Sequence, residues 1–284
     1  MGDGGKIDFG IVGPKDILIS AQGGRAVNIV VGVKVVPDTA AQVRVEDGKV
    51  TWGEAPLVLN PWDEFAVEAA LQAKEKFGGQ VTVISMGDEA ALEALRRALA
   101  MGCQQAIRIY DEPLAQADVL ATAQVLSAAI RKLNPDLVIF GRQAIDGDTA
   151  STPAAVAQVL GWPFVGLVTA FRGFDEGSKT LEVVRTLDEA KQTLRVPLPA
   201  VLTIAKEFAE PRYPSFIGIR KASRAKIPVW NLAELGLEVH PPRVTWPEVM
   251  QPPQREVVCQ FIEGETPREI ARKLVDKLIE EKVL

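Results

Sequence analysis

From Val27 onward the apolar positions fall into two alternating rhythms. Asn28 to Val36 is a near-continuous apolar run rich in valine, the pattern of a strand covered on both faces in a parallel sheet. Val43-Arg44-Val45 and Val50-Thr51-Trp52 alternate on either side of Asp47-Gly48, a pair that favours a tight hairpin turn. Asn60 reads as the N-cap of a helix, Pro61 suits its first position, and Asp63 places an acid in its first turn. Ala66, Ala70, Ala73 and Phe77 share one face of that helix, which stops at Gly78-Gly79.

Val81 to Met86 predicts the next strand, and Asp88 caps a helix with Leu92, Leu95 and Leu99 on one side. Ala106 to Tyr110 reads as a strand, Ala117 to Leu133 as a helix and Asp136 to Phe140 as a strand. This alternation predicts an α/β fold: a doubly wound, mostly parallel sheet with helices on both faces. The rhythm then changes. Phe164 to Phe171, Leu181 to Thr186 and Thr193 to Val196 read as an antiparallel hairpin extension, and Ala200 to Ala205 as one more apolar strand. Beyond Glu210 the chain reads as irregular, then basic from Arg220 to Lys226. Pro241 to Pro253 is Pro-rich and extended, and Ile270, Leu274 and Leu278 mark a final amphipathic helix. The organisation expected is an N-terminal extension over 1–26, an α/β domain over 27–225 and a C-terminal arm over 226–284. The arm either embraces a partner subunit or packs on the chain's own surface.

Composition narrows the chemistry. Hydrophobic residues make up 47% of the 284, enough for a buried core, while aromatics are only 6%, so that core is aliphatic. A net charge of −5 argues against nucleic acid as the partner, because phosphate backbones select basic faces. Cys103 and Cys259 are far apart and in no CxxC motif, which leaves no basis for a disulfide framework, a zinc site or an iron–sulfur cluster. The one histidine, His240, sits before Pro241-Pro242 and reads as a loop residue rather than a catalytic base. Any redox work must therefore reside on a bound organic cofactor, with no catalytic residue and no metal ligand assigned to the chain. No apolar run is long enough for a transmembrane helix. Met1 to Ala26 lacks the charged-then-apolar layout of a signal peptide, so a cytoplasmic protein that is not itself membrane-embedded is expected.

In doubly wound sheets ligands bind at the carboxyl ends of strands, near a topological switch point. Three strand-end segments are chemically unusual: Gly32 to Asp38; Asn60 to Asp63; and Gly141-Arg142-Gln143-Ala144-Ile145-Asp146-Gly147-Asp148-Thr149-Ala150-Ser151-Thr152. The last runs into a helix near Pro153. Amides at that helix start, with the hydroxyls of Thr149, Ser151 and Thr152, suit a phosphate or pyrophosphate. The same segment also reads as an ordinary β–α loop in which Asp146, Asp148 and Thr149 cap and turn. Two aspartates beside a phosphate repel it unless they point away or orient Arg142 and backbone groups. No GxGxxG follows the first strand. Gly173 to Thr180 has the wrong spacing for a phosphate loop and reads as a hairpin turn. Asp146-Gly147-Asp148 lacks the remainder of a calcium loop. The Ser-Gly-Gly-x-Asp-Ser stretch of ATP-cleaving relatives of this architecture is absent, which points to binding rather than hydrolysis.

Six stretches resemble the electron-transfer flavoprotein beta-subunit family, in order and with matching spacing. They are Val33-Lys34-Val35-Val36-Pro37-Asp38-Thr39, Asn60 to Ala70, Val81 to Gly87, Leu95 to Gly102, Gly141 to Thr149, and Leu198-Pro199-Ala200-Val201 with Glu210-Pro211-Arg212-Tyr213 after it. The resemblance covers about Val27 to Lys226 and continues more weakly to the end. It implies a heterodimer with an alpha subunit that carries FAD, and a second adenine nucleotide on this chain. Gly32, Asn60, Pro61, Trp62, Asp63, Met86 and Gly141 to Thr152 are then the nucleotide site, with Arg142 a candidate for tuning a reduced flavin. Within the family, Val36-Pro37-Asp38-Thr39 and Asp146-Gly147-Asp148-Thr149-Ala150 resemble the electron-bifurcating and nitrogen-fixation-associated group. That group holds a second FAD, which takes a hydride from NADH. Electrons then go to the alpha-subunit FAD, to a flavin dehydrogenase or quinone oxidoreductase, and to a low-potential acceptor such as ferredoxin or flavodoxin. The housekeeping group instead holds AMP in a structural role and has Cys-Asn-Gln-Thr where this chain has Thr149, Ala150, Ser151 and Thr152. Ser151-Thr152-Pro153 also departs from the Gln-Val-Gly-Pro usual in the bifurcating group, and AMP stands as the alternative. Phe216 falls where the family places an apolar anchor for docking dehydrogenases; local packing is the competing reading.

Overall fold

The computed structural model describes residues 27–238, 242–245, 248–251 and 259–284. The extension over 1–26, His240 and part of the Pro-rich stretch lie outside the described residues. The chain divides into two units, Met1–Val43 with Trp52–Pro247, and Arg44–Thr51 with Glu248–Leu284.

The first unit opens with β1 (Ile29–Gly32) and β2 (Val35–Pro37), which are two strands rather than the single one read from residues 28 to 36. The break falls at Lys34 because α1 takes its backbone groups. The Lys34 amide donates to Asp63 Oδ2 at 2.8 Å, and its carbonyl accepts from the Asn60 amide at 2.9 Å. The chain continues, after the hairpin of β3 (Arg44–Glu46) and β4 (Lys49–Thr51), through β5 (Leu57–Leu59), α1 (Pro61–Phe77), β6 (Val81–Met86), α2 (Ala91–Met101) and β7 (Gln105–Ile109). Then come α3 (Val119–Leu133), β8 (Leu137–Gly141), α4 (Thr152–Leu160), β9 (Phe164–Asp175), β10 (Thr180–Thr186), β11 (Lys191–Pro197), β12 (Ala200–Ile204), α5 (Phe216–Ser223) and β13 (Val229–Trp230).

Nine strands form one sheet in the order β11-β10-β9-β12-β8-β1-β6-β7-β13. The pairs from β9–β12 across to β7–β13 are parallel, and the β9–β10–β11 meander is antiparallel. The period of two along each strand assigns the faces. Ile29, Val31, Val81, Val83, Leu137 and Ile139 pack with α1 and α2; Val30, Ile84, Val138 and Phe140 pack with α3 and α4. Each such aliphatic side chain taken out of water stabilises the fold by about 1.5–3 kcal/mol before entropy is counted. Helices on both faces make this the doubly wound α/β sheet that the sequence predicts.

Three local readings need correction. Asp88 turns the chain through the Ala90 amide at 2.9 Å, and α2 starts at Ala91, two residues later than a cap at Asp88 implies. Asp118 caps α3 through the Ala121 amide at 2.8 Å, and the residues before it form a separate 3-10 turn, Glu112–Gln116. The stretch read as irregular after Glu210 contains α5, capped by Ser215. Its Phe216, Ile217 and Ile219 face solvent, so it carries no buried periodicity to betray it.

In the second unit, Asp47 and Gly48 both take positive φ, which closes the β3–β4 hairpin as their types allow. The final helix, α6 (Pro267–Glu280), is capped by the Thr266 hydroxyl on the Glu269 amide and has no buried residue.

Candidate functional site

The chain runs β1, β6, β7 to one side and then crosses to β8 on the other side of β1, with α1 and α3 on opposite faces. The switch point therefore lies between the carboxyl ends of β1 and β8, where a doubly wound sheet opens its ligand crevice. Gly32 ends β1 and Gly141 ends β8.

Both glycines exist for close approach. A Cβ on Gly32 would lie 2.0 Å from the Phe140 ring, and one on Gly141 would lie 2.3 Å from Asp63 Oδ1 and 2.7 Å from the Trp62 carbonyl. The start of α1 is thus pressed against the end of β8, and its polar residues serve the junction. Asn60, 1% exposed, makes no side-chain cap for its own helix, contrary to the reading from sequence. Its Nδ2 donates to the Gln143 carbonyl at 2.8 Å, and its Oδ1 accepts from the Ile145 amide at 3.3 Å. The helix is started by Pro61 and by the Asn60 carbonyl, which accepts from the Asp63 amide at 2.8 Å. Asp63 is buried. Burial pushes its carboxyl up to about 7, against hydrogen bonds from the Lys34 amide, the Asn60 side chain and the Gly141 amide that hold it down. One carboxyl therefore ties together the ends of β1 and β8 and the first turn of α1.

The Gly141–Thr152 segment folds back on itself. Asp148 accepts from the Gln143 side chain, and its amide reaches the Ala144 carbonyl at 2.9 Å. Asp146 accepts from the Gly147 amide at 2.8 Å and pairs with Lys34 Nζ at 2.6 Å. Both aspartates are thereby engaged within the loop or by Lys34, which answers the repulsion expected from the sequence. Asp148 and Ala150 hold φ of 51° and 50°, a left-handed backbone costly for a side chain with a Cβ. The Ser151 hydroxyl turns back to the Thr149 carbonyl at 2.7 Å and does not cap α4. The first-turn amides of α4 thus have no cap from Ser151, as an anion-binding helix start requires. Thr149 and Ala150 are exposed, and Thr152 is half-buried. Arg142 is exposed with its guanidinium 5.6 Å from the Trp62 ring centre, a cation–π contact.

The structure thus brings Gly32, Asn60–Asp63 and Gly141–Thr152 together. Met86 ends β6 one strand beyond Gly32 and packs toward α3. Phe216 stands apart at the first position of α5 and is 80% exposed. Lys34 was missed as a site residue: it lies inside an apolar run, and only the fold reveals its reach of 112 residues to Asp146. A groove between α3 and Leu232, Leu237 and Pro242 contains none of the residues singled out from sequence. Among the described residues no group of three or more His, Cys, Asp or Glu suits a metal ion, and no helix is long and apolar enough to cross a membrane.

The donor set at the switch point is a lysine, hydroxyls and helix-start amides, with no nucleophile positioned by a base. Such donors suit a phosphate group. The fold defines an α/β protein of the doubly wound class, with a crevice at its switch point. The model of the electron transfer flavoprotein domain matches residues 50–235. An electron transfer flavoprotein subunit beta of Thermoanaerobacterium thermosaccharolyticum is 40% identical over 261 residues, covering 88% of this chain and 97% of that protein. Subunit CarD of the caffeyl-CoA reductase-Etf complex of Acetobacterium woodii is 37% identical over 266 residues, 90% and 99% of the two chains. Protein FixA of Azorhizobium caulinodans is 35% identical over 218 residues, 74% and 77% of the two chains. The chain belongs to the electron transfer flavoprotein beta-subunit family, and its class of function is electron transfer.

Proposed function

We propose that this chain is the FAD-binding beta subunit of a heterodimeric, electron-bifurcating electron transfer flavoprotein. The observation that carries the reading is the switch-point crevice, where Asn60 and Asp63 lock the ends of β1 and β8 beside the uncapped start of α4. Uncapped amides at a helix start suit the phosphate end of a nucleotide. Likeness to a subunit of a caffeyl-CoA reductase-Etf complex and to FixA proteins supports the bifurcating branch.

The residues divide the work. Gly32 and Gly141 let elements close in, and Asn60 fixes the Gln143–Ile145 backbone. The start of α4, with Thr149 and Thr152, receives the phosphates. Arg142, held over Trp62, would offer positive charge to a reduced flavin in the crevice. FAD held by these residues would supply the redox chemistry: hydride acceptance from NADH and one-electron transfer to the alpha-subunit FAD and to a low-potential acceptor such as ferredoxin or flavodoxin. The second unit, with the solvent-facing α6, is the arm that packs on the alpha subunit. Phe216 on α5 is the docking anchor for a flavin dehydrogenase or quinone oxidoreductase. The complex works in the cytoplasm.

Anaerobic titration of the purified complex with NADH tests the reading. Bleaching of the flavin absorbance supports it. A flavin that NADH leaves oxidised, while a reduced dehydrogenase bleaches it, returns the chain to the AMP-holding group.

A further inference from the structure

We propose that Lys34 is a phosphate-binding side chain of the crevice, and that Asp146 is its competitor, surrendering Lys34 when a phosphate enters. The proposal rests on the nucleotide site above and adds a residue and a displacement step to it.

Lys34 has an unusual division of labour. Its main chain is clamped, with the amide on Asp63 Oδ2 at 2.8 Å and the carbonyl on the Asn60 amide at 2.9 Å. The root of the side chain is therefore fixed at the carboxyl end of β1, beside the switch point. The side chain itself is 51% exposed; among the described residues it is hydrogen-bonded to Asp146 Oδ2 at 2.6 Å, and its charge also acts on Asp63. That leaves ammonium donors of Lys34 to spare, since it carries three. Asp146 does not depend on Lys34 in return, because its other oxygen accepts from the Gly147 amide at 2.8 Å. Release of Lys34 thus strands no buried charge at either end. A partly exposed ion pair of this kind is weak, whereas an ammonium–phosphate contact is charge-assisted and faces more than one negative charge. Asp146 stands six residues before Thr152, the first residue of α4, and, as proposed, a phosphate at that start draws the same lysine. In the absence of ligand, Asp146 holds the lysine through their 2.6 Å pair.

The test compares AMP with adenosine, which differ by the phosphate alone. Binding is measured by calorimetry to the heterodimeric complex stripped of its nucleotide. Lys34→Met is expected to weaken AMP by about tenfold, the loss of one charge-assisted contact, and to leave adenosine within about twofold. Lys34→Arg keeps the charge and retains most AMP affinity. Asp146→Asn keeps the Gly147 contact, removes the competitor and tightens AMP by a few-fold, with adenosine unchanged. Because Asp146→Asn predicts a gain, it carries the test even if Lys34→Met fails to fold. Equal weakening of AMP and adenosine by Lys34→Met, no weakening of either, or unaltered or weaker AMP binding by Asp146→Asn overturns the proposal. In those cases wild-type binding of AMP still leaves the nucleotide site standing. A wild-type complex that takes up neither AMP nor FAD overturns both.

Discussion

The side-chain amide of Asn60 donates to the carbonyl of Gln143 at 2.8 Å, tying the start of α1 to a loop 83 residues further along the chain. With the return bond from the Ile145 amide, Asn60 satisfies backbone groups that would otherwise be unpaired in a part-buried junction. Asn60→Ala should cost about 1–3 kcal/mol of stability, the penalty for orphaning those groups. Asn60→Asp should be no milder, because a carboxylate cannot donate to Gln143. Denaturant unfolding checks the first expectation. Nucleotide retained after gel filtration checks the second consequence, a loss of tenfold or more.

Asp63 makes stability depend on pH in a definite direction. Its carboxyl is raised from 3.8 to about 7 by burial, so the folded chain holds a proton that the unfolded chain has released. The contribution is complete below pH 3.8, falls between 3.8 and 7, and is lost above 7. The slope within that window is at most about 1.4 kcal/mol per pH unit. Relative to Asp63→Asn, the wild type should lose about 2 kcal/mol between pH 5.5 and 7.5. Unfolding free energies of both proteins across that range measure it, and a constant difference would show that the carboxyl is already ionised at the lower pH.

Two glycines six residues apart, Gly141 and Gly147, should behave in opposite ways. Gly141→Ala drives a methyl into Asp63 Oδ1 and the Trp62 backbone, neighbours that cannot rotate aside. It should cost about 1–3 kcal/mol or more and empty the crevice. Gly147 has nothing within 4 Å of an added Cβ and no positive φ, so Gly147→Ala should stay within about 0.5 kcal/mol. Thermal melts of the two variants separate the cases.

Arg212 clamps the segment before α5 to α1. Its Nε and Nη2 reach the two oxygens of buried Glu68 at 2.7 and 3.0 Å, and Nη1 reaches Glu75 at 2.6 Å. Burial would raise Glu68, but Arg212 and the Gln72 side chain outweigh it and hold it below its ordinary value. Arg212→Met strands that buried carboxylate and should cost about 2–4 kcal/mol; Glu75→Gln removes an exposed partner and should cost about 0.5 kcal/mol or less. A double-mutant cycle with Glu68→Gln measures the coupling directly.

The legibility of the fold in the sequence follows from what is local. Pro61 with its first-turn acid, Asp47-Gly48 and the Gly78-Gly79 stop act within a few residues, and those elements stand where the pattern places them. What stayed hidden depends on distant partners. Asn60 looks like a cap because local spacing cannot reveal a bond to Gln143. The break after Gly32 is invisible because the residues around Lys34 are as apolar as a strand, while Asp63 and Asn60 take its backbone. α5 escaped because its apolar residues face outward. The strand-end segments that the fold brings together, Gly32 to Asp38 among them, stand out by composition, whereas the pairing of Lys34 with Asp146 needed the sheet to close.

The most direct measurement of the central claim is the nucleotide content of the purified heterodimer, extracted under denaturing conditions and separated by chromatography. The account predicts two FAD per heterodimer, one of them lost in Asn60→Ala. One FAD with one AMP would contradict it and leave this chain as the structural nucleotide-holding partner of a single-flavin shuttle.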